Sequence, residues 1–221
     1  MSSPPLTTTS YAVLGLLGVR EWSTYELTKQ MDRSLGRFWP RAVSKLYEEP
    51  KKLVAHGLAK ARTDRTGLRS RTVYAITPRG RRELRAWLAA PGQGPVLESE
   101  QLLKVFFAEQ GSTEDLRRTL ADAAEWARTR SAASFEVGAA YARGEGAFPE
   151  RLQVLQLTSR FLTDFYALVG EWAAWADEVV SSWPDDPHLA SPDLEVVAET
   201  VRRAAAAATV SAMARDQSSP A

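Results

Sequence analysis

Cysteine is absent from this 221-residue sequence, and histidine is almost absent, since only His56 and His188 occur. Without thiols, the chain has no disulfide, no thiolate metal site and no cysteine nucleophile. It also lacks a glycine-rich phosphate loop, and its carboxylate pair Asp185 and Asp186 lies in a proline-bounded turn. Because the usual components of a catalytic site are missing, we predict a protein that is not an enzyme and that needs no metal or cofactor.

Long apolar runs are missing as well. No stretch approaches the roughly 20 residues that are needed to span a bilayer. The opening MSSPPLTTTS has no basic segment followed by an apolar core, so it does not match a secretory signal. The sequence therefore predicts a soluble, cytoplasmic protein that has no membrane partner.

Charged residues are abundant and unevenly distributed. The net charge of +1 conceals 17 Lys and Arg against 7 Asp and Glu in residues 1–90, a balance of +10. In residues 91–221 the numbers are 11 and 20, a balance of −9. This asymmetry predicts a first part that binds a polyanion and a second part with another task.

Turn-forming and polar segments divide the chain into parts. The segment PGQGP, which begins at Pro91, is the clearest linker. The predicted parts are a disordered start over 1–7, a domain over 8–90, a linker over 91–98, a helical domain over 99–214 and a disordered tail over 215–221.

A helix and a hairpin follow each other between Trp39 and Gly80. Pro40 suits the first turn of a helix, and the apolar spacing continues this helix to His56. Pro50 removes one N–H from the helix interior, so we expect a kink or a break there. The next residues have strand composition over 58–64 and 71–76. Helix, strand, basic turn and strand follow in the order of a winged helix-turn-helix.

Cations cluster on this predicted helix and hairpin. A duplex-binding protein needs cations at phosphate spacing and a slim element that enters the major groove. Early residues of a recognition helix usually reach base edges, so we assign base reading to Arg41, Ser44 and Lys45. The other predicted DNA contacts are Tyr47, Lys51 and Lys52 on the helix and Arg62, Arg65, Arg69 and Arg71 on the hairpin.

Each predicted contact has a simpler interpretation. Any one of these cations could be a solvated surface charge, although the whole cluster on a helix–hairpin frame is harder to explain in that way. Tyr47 could pack in the core with its hydroxyl at the rim. Its exposure in the structure therefore decides between the two interpretations.

The segment SKLYEEPKKLVAHGLA, the basic hairpin and TVYAITPRGRREL together resemble the DNA-binding domain of the PadR family of bacterial transcriptional regulators. The resemblance covers roughly residues 8–90. Its matching residues are Tyr47, Leu53, Gly57, Leu58, Tyr74, Ile76, Thr77, Pro78 and Gly80. One departure is Pro50, since the family's proline directly follows the tyrosine, where this chain has Glu48. The resemblance implies a mainly α fold, with a winged helix-turn-helix, its two-stranded wing and an all-α C-terminal domain of long helices that dimerises.

The second half carries an apolar seam in its predicted long helix from about Pro149 to Trp183. Apolar residues recur there at alternating steps of three and four, which is the pattern of a helix that packs along another helix. The partner helix could belong to the same chain or to a second copy, and we predict a homodimer. The predicted dimer contacts are Leu155, Leu162, Phe165, Val169, Trp172 and Val179.

Aromatic residues are concentrated in the same half. Trp126, Phe161 and Trp175 could line a pocket for an apolar or aromatic small-molecule effector, because such sites are mostly apolar and aromatic. The alternative interpretation, which we favour, is that these aromatic residues form helix-packing core and dimer interface.

These features predict a sequence-specific transcriptional regulator. The resemblance favours a repressor that binds a pseudo-palindromic operator as a dimer and that a small-molecule effector releases. The alternative is an adaptor that uses a winged helix to bind another protein. Such an adaptor has no need for a balance of +10 over ninety residues.

Overall fold

The computed structural model describes residues 4–40, 47–66 and 69–216, with side chains except those of residues 65, 66, 69 and 210–216. The chain divides into two compact units, residues 1–95 and 96–221. In the described ranges, none of the helices combines the length and the apolar character that crossing a bilayer requires.

The N-terminal unit combines helices with a small antiparallel sheet. Its elements are α1 (Thr8–Val19), β1 (Trp22–Ser23), α2 (Thr24–Arg33), α3 (Glu49–Ala55), β2 (Ala59–Thr66), β3 (Arg69–Ile76) and α4 (Pro78–Ala89). The strand order is β1-β3-β2, and β2 and β3 form the predicted hairpin with Ala59 opposite Ile76 and Thr66 opposite Arg69. The mainly α fold with a two-stranded wing is thus confirmed, and the structure adds the short strand β1, which pairs with β3.

Local capping explains where these helices begin. The Ser23 hydroxyl accepts from the Glu26 N–H, and Glu26 accepts from both the N–H and the hydroxyl of Ser23 at 2.8 and 2.7 Å. Ser23 and Glu26, spaced as Ser-x-x-Glu, thus form a reciprocal capping box at the start of α2. Thr7 and Ser10 form an equivalent box at the start of α1. The Thr77 hydroxyl accepts from the Gly80 N–H at 3.0 Å and so caps α4.

The core of this unit lies between its helices and one face of the sheet. The Trp22 indole is buried and donates to the Leu16 carbonyl at 2.7 Å, so its polar atom is satisfied. α4 packs so closely that a Cβ on Gly80 would lie 2.1 Å from the Leu58 carbonyl oxygen. The main buried side chains are Val13, Leu14, Leu17, Leu27, Met31, Leu53, Leu58, Val73 and Ile76.

Pro50 marks the start of a helix rather than its middle. Tyr47 and Glu48 form a turn, α3 begins at Glu49, and Pro50 falls in its first turn. There its missing N–H costs nothing, because the first N–H groups of a helix have no partner within the helix. Of the two expected outcomes, the described residues show the break. The earlier part of the predicted helix, residues 41–46, lies outside the described residues.

In its described residues, the C-terminal unit consists of helices and the segments that connect them, without a strand. Its elements are α5 (Glu100–Phe106), α6 (Thr113–Ala142), α7 (Leu152–Val180) and α8 (Leu194–Asp216). Residues 91–99, which include the predicted linker, contain neither helix nor strand. The last described helix reaches two residues into the segment 215–221, for which disorder was expected.

Two long antiparallel helices, α6 and α7, form the centre of this unit. Thr113 at the start of α6 donates its N–H to the Asp185 carbonyl beyond the end of α7. Midway along, a Cβ on Gly170 would lie 3.5 Å from the Ala127 Cβ, so the two helices are in van der Waals contact there. One buried cluster between the helices contains Leu116, Leu120, Ala176 and Val180, with Trp172 and Trp183 packed against it.

Candidate nucleic-acid interface

Tyr47 is a surface residue at the turn before α3. Its side chain is 60% exposed, which excludes the interpretation in which it packs in the core. An exposed phenol at the entrance of the helix can stack on a sugar or donate its hydroxyl to a phosphate. The next residue, Glu48, is also exposed, so the turn projects from the surface of the unit.

Lys51 and Lys52 are neighbours in sequence but lie in different environments. Lys51 Nζ is 3.1 Å from Glu48, and both side chains are largely exposed, at 64% and 77%. Such a surface pair contributes little and exchanges readily. Lys52 Nζ is 3.2 Å from Glu49, but here the side chains are only 13% and 6% exposed. Lys51 is therefore available to a phosphate, whereas Lys52 is turned into the protein.

On the wing, Arg62 and Arg71 are both held by carboxylates of the same chain. Arg62 Nη2 lies 2.9 Å from Glu21, and Arg71 Nη2 lies 3.1 Å from Asp64. Each guanidinium is still about half exposed. Contact of these two arginines with DNA stays a prediction, and the carboxylates compete with it.

The remaining predicted contacts lie where side chains are not described. Arg41, Ser44 and Lys45 fall outside the described residues, as do the side chains of Arg65 and Arg69. The backbone register alone places Arg65 opposite Ser70 and Arg69 opposite Thr66, at the end of the hairpin. Their DNA contacts stay predictions.

Four further arginines, which the sequence reasoning did not assign to DNA, lie on α4. All are exposed, and Glu83 is the only carboxylate on that helix. Glu83 accepts a hydrogen bond from the Tyr11 hydroxyl at 2.9 Å, so it is directed toward α1. The signal was visible as RGRREL directly after the wing. These arginines are Arg79, Arg81, Arg82 and Arg85.

Tyr11 and Trp87 hold α4 against α1. Their rings stack with centroids 5.0 Å apart. Burial, together with the hydrogen bond to Glu83, raises the pKa of the Tyr11 hydroxyl above its usual value, so the group stays protonated as a donor. The contact fixes the position of the basic helix within the N-terminal unit.

Leu162, Phe165 and Trp172 of the predicted dimer seam face α6 of the same chain. Leu162 is 6% exposed, and Trp172 packs against the α6–α7 cluster. Phe165 meets the Trp126 ring edge to face, with centroids 6.2 Å apart. Leu155, Val169 and Val179 are half-buried in the single chain. The same-chain partner, one of the two alternatives, is therefore present, and a role of these residues in a dimer stays a prediction.

A different stripe on α7 is left uncovered in the single chain. Phe161 is 62% exposed, Leu168 61% and Trp175 47%, and these residues recur every seven positions along the helix. Val154, one further step back, is 48% exposed. Sequence reasoning missed this stripe because its spacing runs beside the stronger three-and-four pattern.

In the described part of the chain, the three predicted effector residues lie in different surroundings, and binding of an effector by them stays a prediction. Trp126 is half-buried against Phe165 and Tyr166, whereas Phe161 and Trp175 are exposed. Phe161 and Trp175 are fourteen residues apart on one helix, a rise of about 21 Å. Of these three residues, only Trp175 lines an open groove of about 840 Å³ between the end of α7 and the start of α8.

Comparison with known sequences identifies a relative of the N-terminal unit. Residues 13–86 match the model of the transcriptional regulator PadR-like family. The negative transcriptional regulator PadR of Bacillus subtilis is 36% identical over 99 residues, which cover 44% of this chain and 54% of that protein. The chain thus aligns with about half the length of this relative.

Comparison with solved structures extends the likeness of fold over both units. Bacillus subtilis PadR in complex with operator DNA superposes with a TM-score of 0.69 and 23% identity, covering 79% of this chain and 99% of that one. The same protein in complex with p-coumaric acid gives a TM-score of 0.61 and 24% identity, covering 80% of this chain and all of that one.

Proposed function

We propose that this chain, whose residues 13–86 match the model of the PadR-like family of transcriptional regulators, binds duplex operator DNA with its N-terminal unit. The observation that carries the proposal is that one unit with a positive charge balance combines the exposed Tyr47, at the start of α3, with a two-stranded wing. The fold likeness to a PadR–operator complex supports the same proposal.

The proposed contacts come from two elements. The turn and helix around Tyr47 and Lys51 enter or border the major groove, where Arg41, Ser44 and Lys45 read base edges. The end of the wing, with Arg65 and Arg69, contacts phosphates or the minor groove. Lys52 is left out of this set because its charge is already engaged inside the protein.

A homodimer completes the proposal. The exposed stripe of Phe161, Leu168 and Trp175 leaves apolar surface that another helix would cover. A twofold dimer presents two identical reading units, which suits a pseudo-palindromic operator. We place the dimer contact on this stripe and its neighbours in the C-terminal unit.

Repression and release by a small molecule form the last part of the proposal. The Bacillus subtilis relative is named a negative regulator. Its structure in complex with p-coumaric acid shows that the Bacillus subtilis protein binds an aromatic acid. By analogy we propose that the present chain represses transcription in the cytoplasm, without catalysis, and that an apolar or aromatic effector releases it.

Binding of the full-length protein to DNA at several salt concentrations tests the proposal. Duplexes selected from genomic fragments should bind with an affinity that falls steeply with salt, at a log–log slope near −0.9 per phosphate contacted. Tyr47→Ala should weaken binding about tenfold while leaving stability nearly unchanged, because the side chain is exposed. Absence of binding to any duplex at low salt would favour the adaptor interpretation instead.

A further inference from the structure

A group of charged side chains, here called the wing brace, joins the wing to the start of α2. Asp64 on β2 stands directly opposite Arg71 on β3. Arg62, on the same face of β2, reaches Glu21 just before β1, and Arg71 reaches toward Glu26 in the first turn of α2. The brace consists of Glu21, Glu26, Arg62, Asp64 and Arg71.

The geometry ties each guanidinium to two carboxylates. Arg62 donates from Nη2 and Nε to Glu21 at 2.9 and 3.3 Å, and its Nη1 lies 3.8 Å from Asp64. Arg71 donates from Nη2 and Nε to Asp64 at 3.1 and 3.3 Å, and its Nη1 lies 4.0 Å from Glu26. Asp64 is thus shared by both arginines, which makes the five groups one network rather than two isolated pairs.

The acidic ends of the network are themselves anchored. Glu26 is fixed by the two hydrogen bonds from Ser23 that form the capping box of α2. These hydrogen bonds, with the nearby charges of Arg71 and Arg20, lower the pKa of the Glu26 carboxyl, so it is ionised at neutral pH. Glu26 therefore keeps its position and its negative charge beside the wing whether or not Arg71 contacts it.

The brace has no surplus of positive charge. Its two guanidinium groups face three carboxylates. Among the described side chains, adding Arg20, which acts on Glu26, gives three positive against three negative charges. A DNA phosphate that approached Arg62 or Arg71 would meet Glu21, Glu26 and Asp64 at similar distances. The attraction to the arginine would then be offset by repulsion from the carboxylates.

Resting on the proposed function, we infer that Glu21, Glu26 and Asp64 are positioning residues for the wing, and that Arg62 and Arg71 orient it rather than neutralise phosphates. The carboxylates hold the wing at a set angle to α2, and they keep this face from attracting DNA of any sequence. Specific contacts are then left to the wing end and to the helix that carries Tyr47. The brace thus lowers non-specific affinity and so increases the ratio of specific to non-specific binding.

The slope of log affinity against log salt separates orientation from phosphate contact. We would measure full-length wild type, Glu21→Gln, Arg62→Gln and the double variant on a selected operator and on an unrelated duplex. Arg62→Gln should weaken operator binding by a similar factor at every salt concentration, with the slope unchanged. Glu21→Gln should free Arg62, steepen the slope by up to about 0.9 and raise affinity for the unrelated duplex severalfold at low salt.

Two comparisons make the outcome decisive. The double variant should return to the slope of Arg62→Gln, because the extra phosphate contact requires the freed guanidinium. Arg202→Gln removes the same charge from an ion pair in the C-terminal unit and should change neither slope nor affinity.

A slope that becomes shallower by about 0.9 in Arg62→Gln would overturn the inference, since Arg62 would then contact phosphate in the wild type. An unchanged unrelated-duplex affinity in Glu21→Gln would overturn it as well. If wild type binds no duplex at all, the proposed function itself fails, and that result is distinct from either of these.

Discussion

The two units of this protein bury their apolar residues to different extents. In the N-terminal unit the side chains of α1, α2, α3 and the sheet converge on one core, and the few exposed large apolar residues are mostly aromatic. In the C-terminal unit the described core is a strip between α6 and α7, and much apolar surface remains outside it. The exposed apolar residues there include Leu103, Phe106, Phe107, Phe135, Leu157, Phe161, Leu168, Leu194 and Val201.

This difference follows from shape. A three-stranded sheet backed by helices encloses a volume, so a short chain can cover its own apolar side chains. A pair of long helices has only one shared face, and the opposite faces need a further partner. The difference in burial agrees with the proposal that the self-contained unit binds DNA and that the open unit assembles the dimer. Four changes test it.

The largest effect is expected from Gly80→Ala in the N-terminal unit. The added Cβ would lie 2.1 Å from the Leu58 carbonyl oxygen and 2.9 Å from Ile76 Cγ1, so α4 must move away from the sheet. We expect a loss of at least about 3 kcal/mol in the unfolding free energy of this unit, measured by chemical denaturation with tryptophan fluorescence.

Gly15→Ala is the matched control, because it changes another helical glycine of the same unit. Among the described residues, no atom beyond its own stretch of helix lies within 4 Å of the Cβ that this change adds. The substitution should therefore stabilise α1 by up to about 1 kcal/mol. Equal stability of the two variants would contradict the tight contact between α4 and the strands, and with it the self-contained core.

Lys52→Met is expected to have the next largest effect. It removes the partner of Glu49 Oε1. The Glu49 side chain is 6% exposed, and its Oε2 accepts no hydrogen bond in the described residues. Leaving this carboxylate unpaired should cost about 3 kcal/mol. Lys51→Met, one residue away, should change stability by less than about 0.5 kcal/mol and instead weaken DNA binding. A reversal of these two outcomes would show that Lys52 faces the DNA.

Leu168→Asp tests the open unit. A charge in the exposed stripe of α7 should raise the dissociation constant of the proposed homodimer about 100-fold, or about 2.7 kcal/mol, as measured by sedimentation at a series of dilutions. Leu162→Ala should instead destabilise the α6–α7 pair by about 2–5 kcal/mol with the dimer retained. If Leu162→Ala were monomeric while Leu168→Asp stayed dimeric, the dimer contact would lie on the seam that the sequence pattern predicts and not on the exposed stripe.

The smallest effect concerns acid stability. Hydrogen bonds from Ser23 lower the pKa of Glu26 below its ordinary 4.5, and those from Arg117 lower the pKa of Asp177 below 3.8. A lowered folded-state pKa stabilises the fold above the unfolded value, and this stability is lost as pH falls through the lowered value. Glu26→Gln can still form a capping box. In this variant the unfolding free energy of the N-terminal unit should fall less steeply below about pH 4.5, while that of the C-terminal unit should keep its pH dependence, as measured by chemical denaturation at a series of pH values. An unchanged pH profile would contradict the ionised capping box.

Much of the fold follows from local signals in the sequence. The capping box at Ser23 and the helix start at Thr77-Pro78 each depend on a few adjacent residues. Helix α6 ends at Ala142, just before Gly144. The two strands of the wing were predicted within about two residues. Pro50 was recognised as incompatible with a continuous helix, although its place in a first turn was not.

The candidate site was less predictable, because it depends on which charges meet. Lys51 and Lys52 have the same residue type and the same i,i+3 glutamate, yet one pair is exposed and the other buried. Arg62 and Glu21 are 41 residues apart, so nothing in the local sequence indicates their contact. Strand β1, which the sequence did not predict, has only two residues, and two residues show no recognisable strand pattern.

By itself, the sequence determined the order of the helices and of the two wing strands, the basic character of the first ninety residues and the winged-helix class of the N-terminal unit. These properties rest on periodicity, capping and composition, which act between near neighbours. Tertiary structure alone decided that Tyr47 is exposed, that Lys52, Arg62 and Arg71 are paired with carboxylates, and that α6 covers part of the predicted seam of α7. Those outcomes depend on distances between residues far apart in the chain, which only the packing of the elements sets.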